Sequence, residues 1–274
     1  MAPKRAYWDG MTAAAGGGLG LLALLAVLAP WVAPADPYRI DVLGRLAAPG
    51  WSHWLGTDAL GRDVLSRMVY GARVSLAVGL TAALGSTLLG TVLGAISGYA
   101  GGWVDEVMMR GTDVLMCIPS LFLVFLFIAA LGPGILNVVL VIILTGWTDI
   151  ARLVRGEVLS LKQRDFVMAA RASGARPSRV LFSHVLPNAL GPVYVSLTFG
   201  IAGSILMESG LSFLGLGVQA PTASWGSMLA EGRDSLQEAW WLVVFPGLAI
   251  LATMLLINQL GEAARRRFDP KAGA

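Results

Sequence analysis

Long apolar blocks separated by short polar ones run the length of this chain, and they predict six membrane-crossing helices. The first block extends from about Met11 to Val32 and is stopped by Pro34 and Pro37. Lys4 and Arg5, the apolar run and Ala33-Pro34-Ala35 also resemble a secretory signal peptide. The run has the ~20 residues of a span rather than the ~7–15 of a signal core, so it is read as helix one. A second block predicts a helix from about Val74 to Ser97. Gly90, Gly94 and Gly98 flatten one face of it for close helix–helix approach, and Gly101-Gly102 ends it. Helix three is expected over roughly Leu115 to Leu131, with Pro119 near its start. Helix four follows the turn Gly132-Pro133-Gly134 and runs from about Ile135 to Val154. Helix five spans about Ala189 to Met207. Helix six follows Trp240-Trp241, continues to about Leu260 and is expected to bend at Pro246-Gly247.

The polar connections are as informative. Asp36 to Arg73 carries Trp51 and Trp54, residues suited to a membrane–water interface. Within it, Asp58 with Arg62 and Asp63 with Arg67 are spaced as i,i+4 acid–base pairs. Val64, Leu65, Met68 and Val69 form an apolar face, which predicts a helix lying on the surface. Leu211 to Ala239 is a Gly-rich excursion with a proline, unable to continue as one regular helix and expected to fold back on the outer side. With the N-terminus inside, cytoplasmic segments hold fourteen of the twenty Lys and Arg: Lys4, Arg5, Arg110, seven from Arg152 to Arg179, Arg265 to Arg267, and Lys271. That asymmetry places both termini in the cytoplasm.

Composition sharpens the class. Of 274 residues, 56% are hydrophobic and 14% charged, against about 25% charged in soluble domains. The chain is therefore read as an all-α polytopic membrane protein. A lone cysteine, Cys117, excludes an intrachain disulfide and any multi-cysteine metal site. Only two histidines, His53 and His184, are present, and the topology sets them on opposite sides. No cofactor or metal is expected.

The longest polar run between two apolar blocks is Asp165 to Asn188, DFVMAARASGARPSRVLFSHVLPN. Phe166, Ala169, Ala170 and Ser173 share one helical face. Gly174 permits a turn that a Cβ would resist. Pro177 suits the first turn of a second helix, which Val180, Leu181 and Val185 make apolar on one side and which Leu186-Pro187 are expected to end. A compact helix–Gly–helix knob on the basic, inner side is a docking surface.

These spacings resemble the EAA loop of ABC importer permeases, whose pattern is Glu-Ala-Ala, three residues, Gly, nine residues, Ile, one residue, Leu-Pro. Ala169, Ala170, Gly174, Leu186 and Pro187 match. Met168 stands in place of the Glu and His184 in place of the Ile. His53 to Arg67 (HWLGTDALGRDVLSR) and Leu211 to Gly226 (LSFLGLGVQAPTASWG) are similar to the dipeptide/oligopeptide/nickel branch, and nearest to its C-type subunit.

The resemblance implies a type I (MetI-like) permease core of helices two to six with an extra N-terminal helix. Residues 1–35 would be the N-terminal tail and helix one, 36–72 an external loop, 73–262 the core with coupling loop 163–188, and 263–274 a cytoplasmic tail. It also implies a multi-pass protein of a bacterial inner membrane, surrounded by lipid. The implied partners are a second homologous permease in a heterodimeric pore, two cytoplasmic ABC ATPases and an external solute-binding protein. Met168, Ala169, Ala170, Arg171, Ala172, Ser173 and Gly174, with Leu186 and Pro187, would meet the ATPase. Arg171 is expected to face an acidic groove there.

No G-x-x-x-x-G-K-[ST] occurs, so the chain cannot hydrolyse ATP by such a site and is not read as an enzyme. Nucleic acid is not an expected partner. Glu208, at the end of helix five, and Asp149, near the end of helix four, are candidate pathway or gating residues. Both are expected to lie close enough to the helix ends for water to reach them. Asn258 and Gln259 are expected to bond across helices. A secondary transporter or channel is the rival reading, but it needs an ion-coupling site, and no cluster of this kind is visible.

Overall fold

A computed structural model describes residues 2–268; the side chains of residues 2–9, 267 and 268 are not described. Lys271 and residues 269–274 of the expected tail lie outside the described residues, as do the side chains of Lys4, Arg5 and Arg267. The described chain is helical: α1 (Ala2–Val27), α2 (Val64–Ala100), α3 (Gly102–Met116), α4 (Ser120–Leu131), α5 (Ile135–Leu161), α6 (Asp165–Ala172), α7 (Leu186–Phe213), α8 (Trp225–Arg233) and α9 (Trp241–Phe268). Among the described residues five helices are long and apolar enough to cross a membrane, and the bent pair α3–α4 brings the number to six where it counts as one span. The expected all-α, polytopic architecture is what forms, with five to six apolar spans.

Several boundaries differ from the expectation. Helix three is two helices bent by 89° at the break before Ser120, not one span from Leu115. Pro119 has no N–H to give the helix, and the residue before a proline is pushed away from helical ψ. Leu186-Pro187 do not end a helix. A π-helical turn at Val180–Val185 leads straight into α7. A wider turn ahead of Pro187 relieves the clash of its ring with the carbonyl four residues back. Helix six continues through Pro246 to Phe268 and carries Arg265 and Arg266 as helical residues.

By contacts the chain forms two units. The first comprises residues 1–81, 128–139 and 201–260. Here the expected surface-lying helix is instead the start of α2. Asp63 does not pair with Arg67. It caps α2, accepting from Ser66 N and Ser66 Oγ, each at 2.8 Å, and meets His53 Nδ1 at 2.9 Å. A carboxylate at a helix start serves the free N–H groups and the dipole. Arg67 turns to Asp58 (2.5 Å) and to Glu231 on α8 (2.5 and 2.9 Å). Arg62 makes the expected bond to Asp58 (2.6 Å) and a second one to Glu231 (2.6 Å). Arg67 is 1% exposed. Two acids therefore neutralise two arginines at the head of a span, and α8 is tied to α2 through them. Trp225 is buried and donates Nε1–H to the Met68 carbonyl at 3.1 Å.

The second unit comprises residues 82–127, 140–200 and 261–274. The flat glycine face of α2 lies against α5, as expected. A Cβ at Gly90 would come within 2.6 Å of the Trp147 carbonyl oxygen, and one at Gly98 within 2.9 Å of that of Arg155. At Gly94 the nearest atom is the Ala151 carbonyl oxygen. Asp105 on α3 takes a two-pronged bond from Arg155 on α5 (2.5 and 2.6 Å) and a third from Ser97 Oγ (2.5 Å). Arg152 pairs with Asp113. Asn258 and Gln259 make no hydrogen bond to another helix among the described residues.

Candidate coupling loop

The loop between α5 and α7 is built around a buried valine and a left-handed glycine. In α6, Asp165 sits in the first turn and Arg171 in the last, each at the end its charge favours. Ala169, Ala170 and Ala172 supply helix propensity. Val167 is fully buried and packs with Ala95, Val154, Val158, Val180, Leu181, Val185, Ala189 and Val193. These residues join the ends of α2 and α5 to the segment that leads into α7. Burying such a valine is worth about 1.5–3 kcal/mol.

The helix ends in a Schellman arrangement. Gly174, at φ +79, follows the cap residue Ser173. Gly174 N–H donates to the Arg171 carbonyl at 2.9 Å, and Ala175 N–H to the Ala170 carbonyl at 3.1 Å. Ala170 and Ala175 both pack on the valine cluster. Pro177 then opens the next helical turn at its first position, as expected.

The structure sorts the expected loop residues by exposure. Met168, Ala169, Arg171, Ala172, Ser173, Gly174 and Pro187 are exposed, whereas Ala170 and Leu186 are half-buried against the core. Phe166 (44% exposed), Met168 (52%) and Phe182 (64%) leave apolar surface open to solvent on the loop. The Arg171 guanidinium lies 5.5 Å from the Tyr99 ring centroid at the end of α2. Lys162 shares that ring at 5.8 Å and donates to the Tyr99 carbonyl at 2.8 Å. Two cations thus gather at the C-terminal end of α2, where the dipole favours them. This contact was not legible in the sequence, since Tyr99 is 72 residues from Arg171 in the chain.

Asp149 is exposed on α5. Glu208 is not as expected: it is 0% exposed and held by serine hydroxyls from Ser75, Ser209 and Ser212. Its place near the end of an apolar run suggested solvent, but its serine partners bond onward to Val218 N–H and to Trp225 N–H at the start of α8. The excursion after α7 likewise turns inward. Ser224 is fully buried and caps α8, with Ser227 completing the capping box. Ser224 is therefore not a surface point available to a partner. Sequence reading found the Asp58–Arg62 pair but missed the group it forms with Arg67 and Glu231. Its one available sign was a glutamate inside a Gly-rich excursion with no local cation at helical spacing.

Comparison with known proteins places this architecture. Residues 90–273 match the family model "Binding-protein-dependent transport system inner membrane component". The dipeptide transport system permease DppC of Alkalihalophilus pseudofirmus is 42% identical over 90% of this chain and 82% of its own length. The chain belongs to this family of permeases. The oligopeptide transport system permease OppC of Bacillus subtilis is 41% identical, over 92% of this chain and 82% of its own. The di/tripeptide permease DppC of Pseudomonas aeruginosa is 40% identical, over 98% and 92%.

Among solved structures, an inward-facing MetNI methionine ABC transporter chain aligns with TM-score 0.60 at 15% identity. It covers 73% of this permease and 95% of that chain. An amino acid ABC transporter aligns at 0.55 and 14%, covering 74% and 92%. At such identities these two carry the fold, and that fold is the expected MetI-like core. The permease is thus a multi-span inner-membrane transporter component.

Proposed function

We propose that this permease is one half of the translocation pathway of an ATP-driven importer for peptides, pairing with a second, homologous permease. Two cytoplasmic ATPases would dock on residues 163–188, and an external solute-binding protein would deliver the peptide. Both termini and the coupling loop are assigned to the cytoplasm, in keeping with the Lys and Arg asymmetry. The remaining assignments keep their sequence-derived limits: 1–35, 36–72, 73–262 and 263–274. The observation that carries the reading is the loop itself. Phe166, Met168 and Phe182 are exposed on a knob whose backbone is fixed by Gly174 and whose other face is anchored on Val167. Exposed apolar residues on a rigid polar knob suit a protein partner. The peptide substrate rests on the dipeptide and oligopeptide permeases that this chain resembles over nine-tenths of its length.

The test is reconstitution in liposomes with the partner permease, both ATPases and the binding protein. Uptake of a radiolabelled dipeptide should require ATP inside the ATPase compartment and should cease when a Walker-motif lysine of the ATPases is replaced. Uptake driven by an ion gradient without ATP would refute the reading and favour a secondary transporter.

A further inference from the structure

Among the described residues Glu208 is the one fully buried acid on a crossing helix, and its surroundings are specific. No cation pairs with it among the described residues; its partners are three hydroxyls. Ser75 Oγ on α2 donates to Glu208 Oε2 at 3.1 Å, and Ser75 Oγ itself accepts from Trp225 N–H at 3.2 Å. Ser212 Oγ donates to Glu208 Oε1 at 2.8 Å and accepts from Val218 N–H at 3.0 Å. Each serine gives its one proton to the carboxyl while its oxygen accepts from a backbone N–H. Two relays therefore run from the two carboxyl oxygens to the two legs of the excursion between α7 and α8. Glycines let both legs come this close. A Cβ at Gly217 would strike Ser212, and one at Gly226 would lie 2.5 Å from the Ser209 Cα. Ser209 Oγ, at 3.4 Å, is the weak member and supports no leg.

We propose that Glu208 is a positioning residue for transport: through Ser75 and Ser212 its carboxyl locks both legs of the Leu214–Ser224 excursion to α7, so that a partner docking on the excursion moves the helix. This rests on the reading of the chain as an importer permease, with the solute-binding protein as that partner. The same helix starts at Leu186-Pro187, the end of the candidate coupling loop.

The geometry makes the chemistry of the side chain matter more than its size. Glu208→Gln keeps the shape but replaces one acceptor oxygen by an NH₂ donor. One serine then faces a donor with its own proton, and one relay breaks. Ser75→Ala and Ser212→Ala break one relay each without bulk, and alanine is the best helix former. The experiment uses the assembled importer in nanodiscs, with a nitroxide on Ala220→Cys in a Cys117→Ser background. Two quantities are read: nitroxide mobility, and the binding-protein concentration giving half-maximal stimulation of ATP hydrolysis.

Glu208→Gln, Ser75→Ala and Ser212→Ala should each mobilise the label and raise the half-stimulating concentration about tenfold. Combining Glu208→Gln with Ser212→Ala should cost less than the sum of the two, because they share a relay. Ser209→Ala should match wild type in both. Should Glu208→Gln fail to assemble, the two serine variants read the same relays. Wild-type mobility and stimulation in Ser75→Ala and Ser212→Ala overturn the proposal, as does a Ser209→Ala effect equal to theirs. If the wild-type complex never responds to a binding protein, the importer reading fails, and label mobility still decides the relays.

Discussion

Gly174 gives the sharpest test of the coupling loop. Its φ of +79 puts it in the left-handed region, where a side chain costs about 1–2 kcal/mol. A Cβ built there meets nothing within 4 Å. The penalty of a substitution is therefore conformational and not a clash within the chain. A cost of ~1–2 kcal/mol lowers the population of the native turn about 5–30-fold relative to any competing one. The turn carries both closing bonds of α6, Gly174 N–H to the Arg171 carbonyl and Ala175 N–H to the Ala170 carbonyl. Loosening it frees Met168 to Ser173 to reorient while Val167 stays anchored. The series Gly174→Asn, Gly174→Ala, Gly174→Val separates strain from surface bulk. Asparagine visits the left-handed region and should be mild, alanine intermediate, valine worst. In proteoliposomes, Gly174→Val should leave the subunit's membrane level near wild type, since the residue lies outside every span. Peptide uptake and peptide-stimulated ATP hydrolysis should fall about tenfold or more. Wild-type uptake by Gly174→Val with the ATPases bound would show that this turn does not couple. An asparagine variant as damaged as the valine variant would move the cause from backbone to docking surface.

Arg171→Glu should lower coupled ATP hydrolysis and also reverse a favourable contact with Tyr99. Arg171→Lys keeps the charge, so a lysine variant as impaired as the glutamate variant would assign the effect to loop packing and not to an acidic ATPase groove. Gly94→Leu should reduce the yield of folded protein in detergent, because the Ala151 carbonyl occupies the space its Cβ needs. Overpacking of this kind costs about 1–3 kcal/mol, and an unchanged melting midpoint would contradict the α2–α5 contact. Burial alone would raise the Asp58 carboxyl, but the Arg67 guanidinium, the Arg62 N–H and guanidinium and the Leu60 N–H outweigh it and hold it below the usual 3.8. Its stabilising contribution is then complete above ~3.9 and lost as pH falls through the lower folded value. Asp58→Asn should cost about 3–5 kcal/mol at pH 7 and flatten the stability profile below pH 4; an unchanged acid limb would refute this. A reporter active only in the cytoplasm should work when fused within Arg171–Arg179 and fail after Gly132, and the reverse result would invert the topology.

The sequence by itself determined the all-α membrane class, the approximate place of the apolar helices and the glycine turn of the knob. Twenty-residue apolar blocks have few ways to satisfy their backbone in lipid other than as helices. A glycine between two short amphipathic stretches admits few conformations, so Gly174 was readable as a turn and Gly90, Gly94 and Gly98 as a contact face. These are local properties, set by residues within one or two turns of each other.

Tertiary structure decided which partners the charged groups took. Arg67 lies four residues from Asp63, yet bonds Glu231, 164 residues away, because Asp63 is needed at the helix start. Glu208 looked accessible from its position near a helix end and is buried, with Gly217 and Gly226 packed against its neighbours Ser212 and Ser209. Pro119 and Pro187 show the same limit: one bends a span by 89°, while the other is carried through by a widened turn. A proline removes one hydrogen bond in either case, and only the surrounding packing decides whether the helix breaks or adjusts.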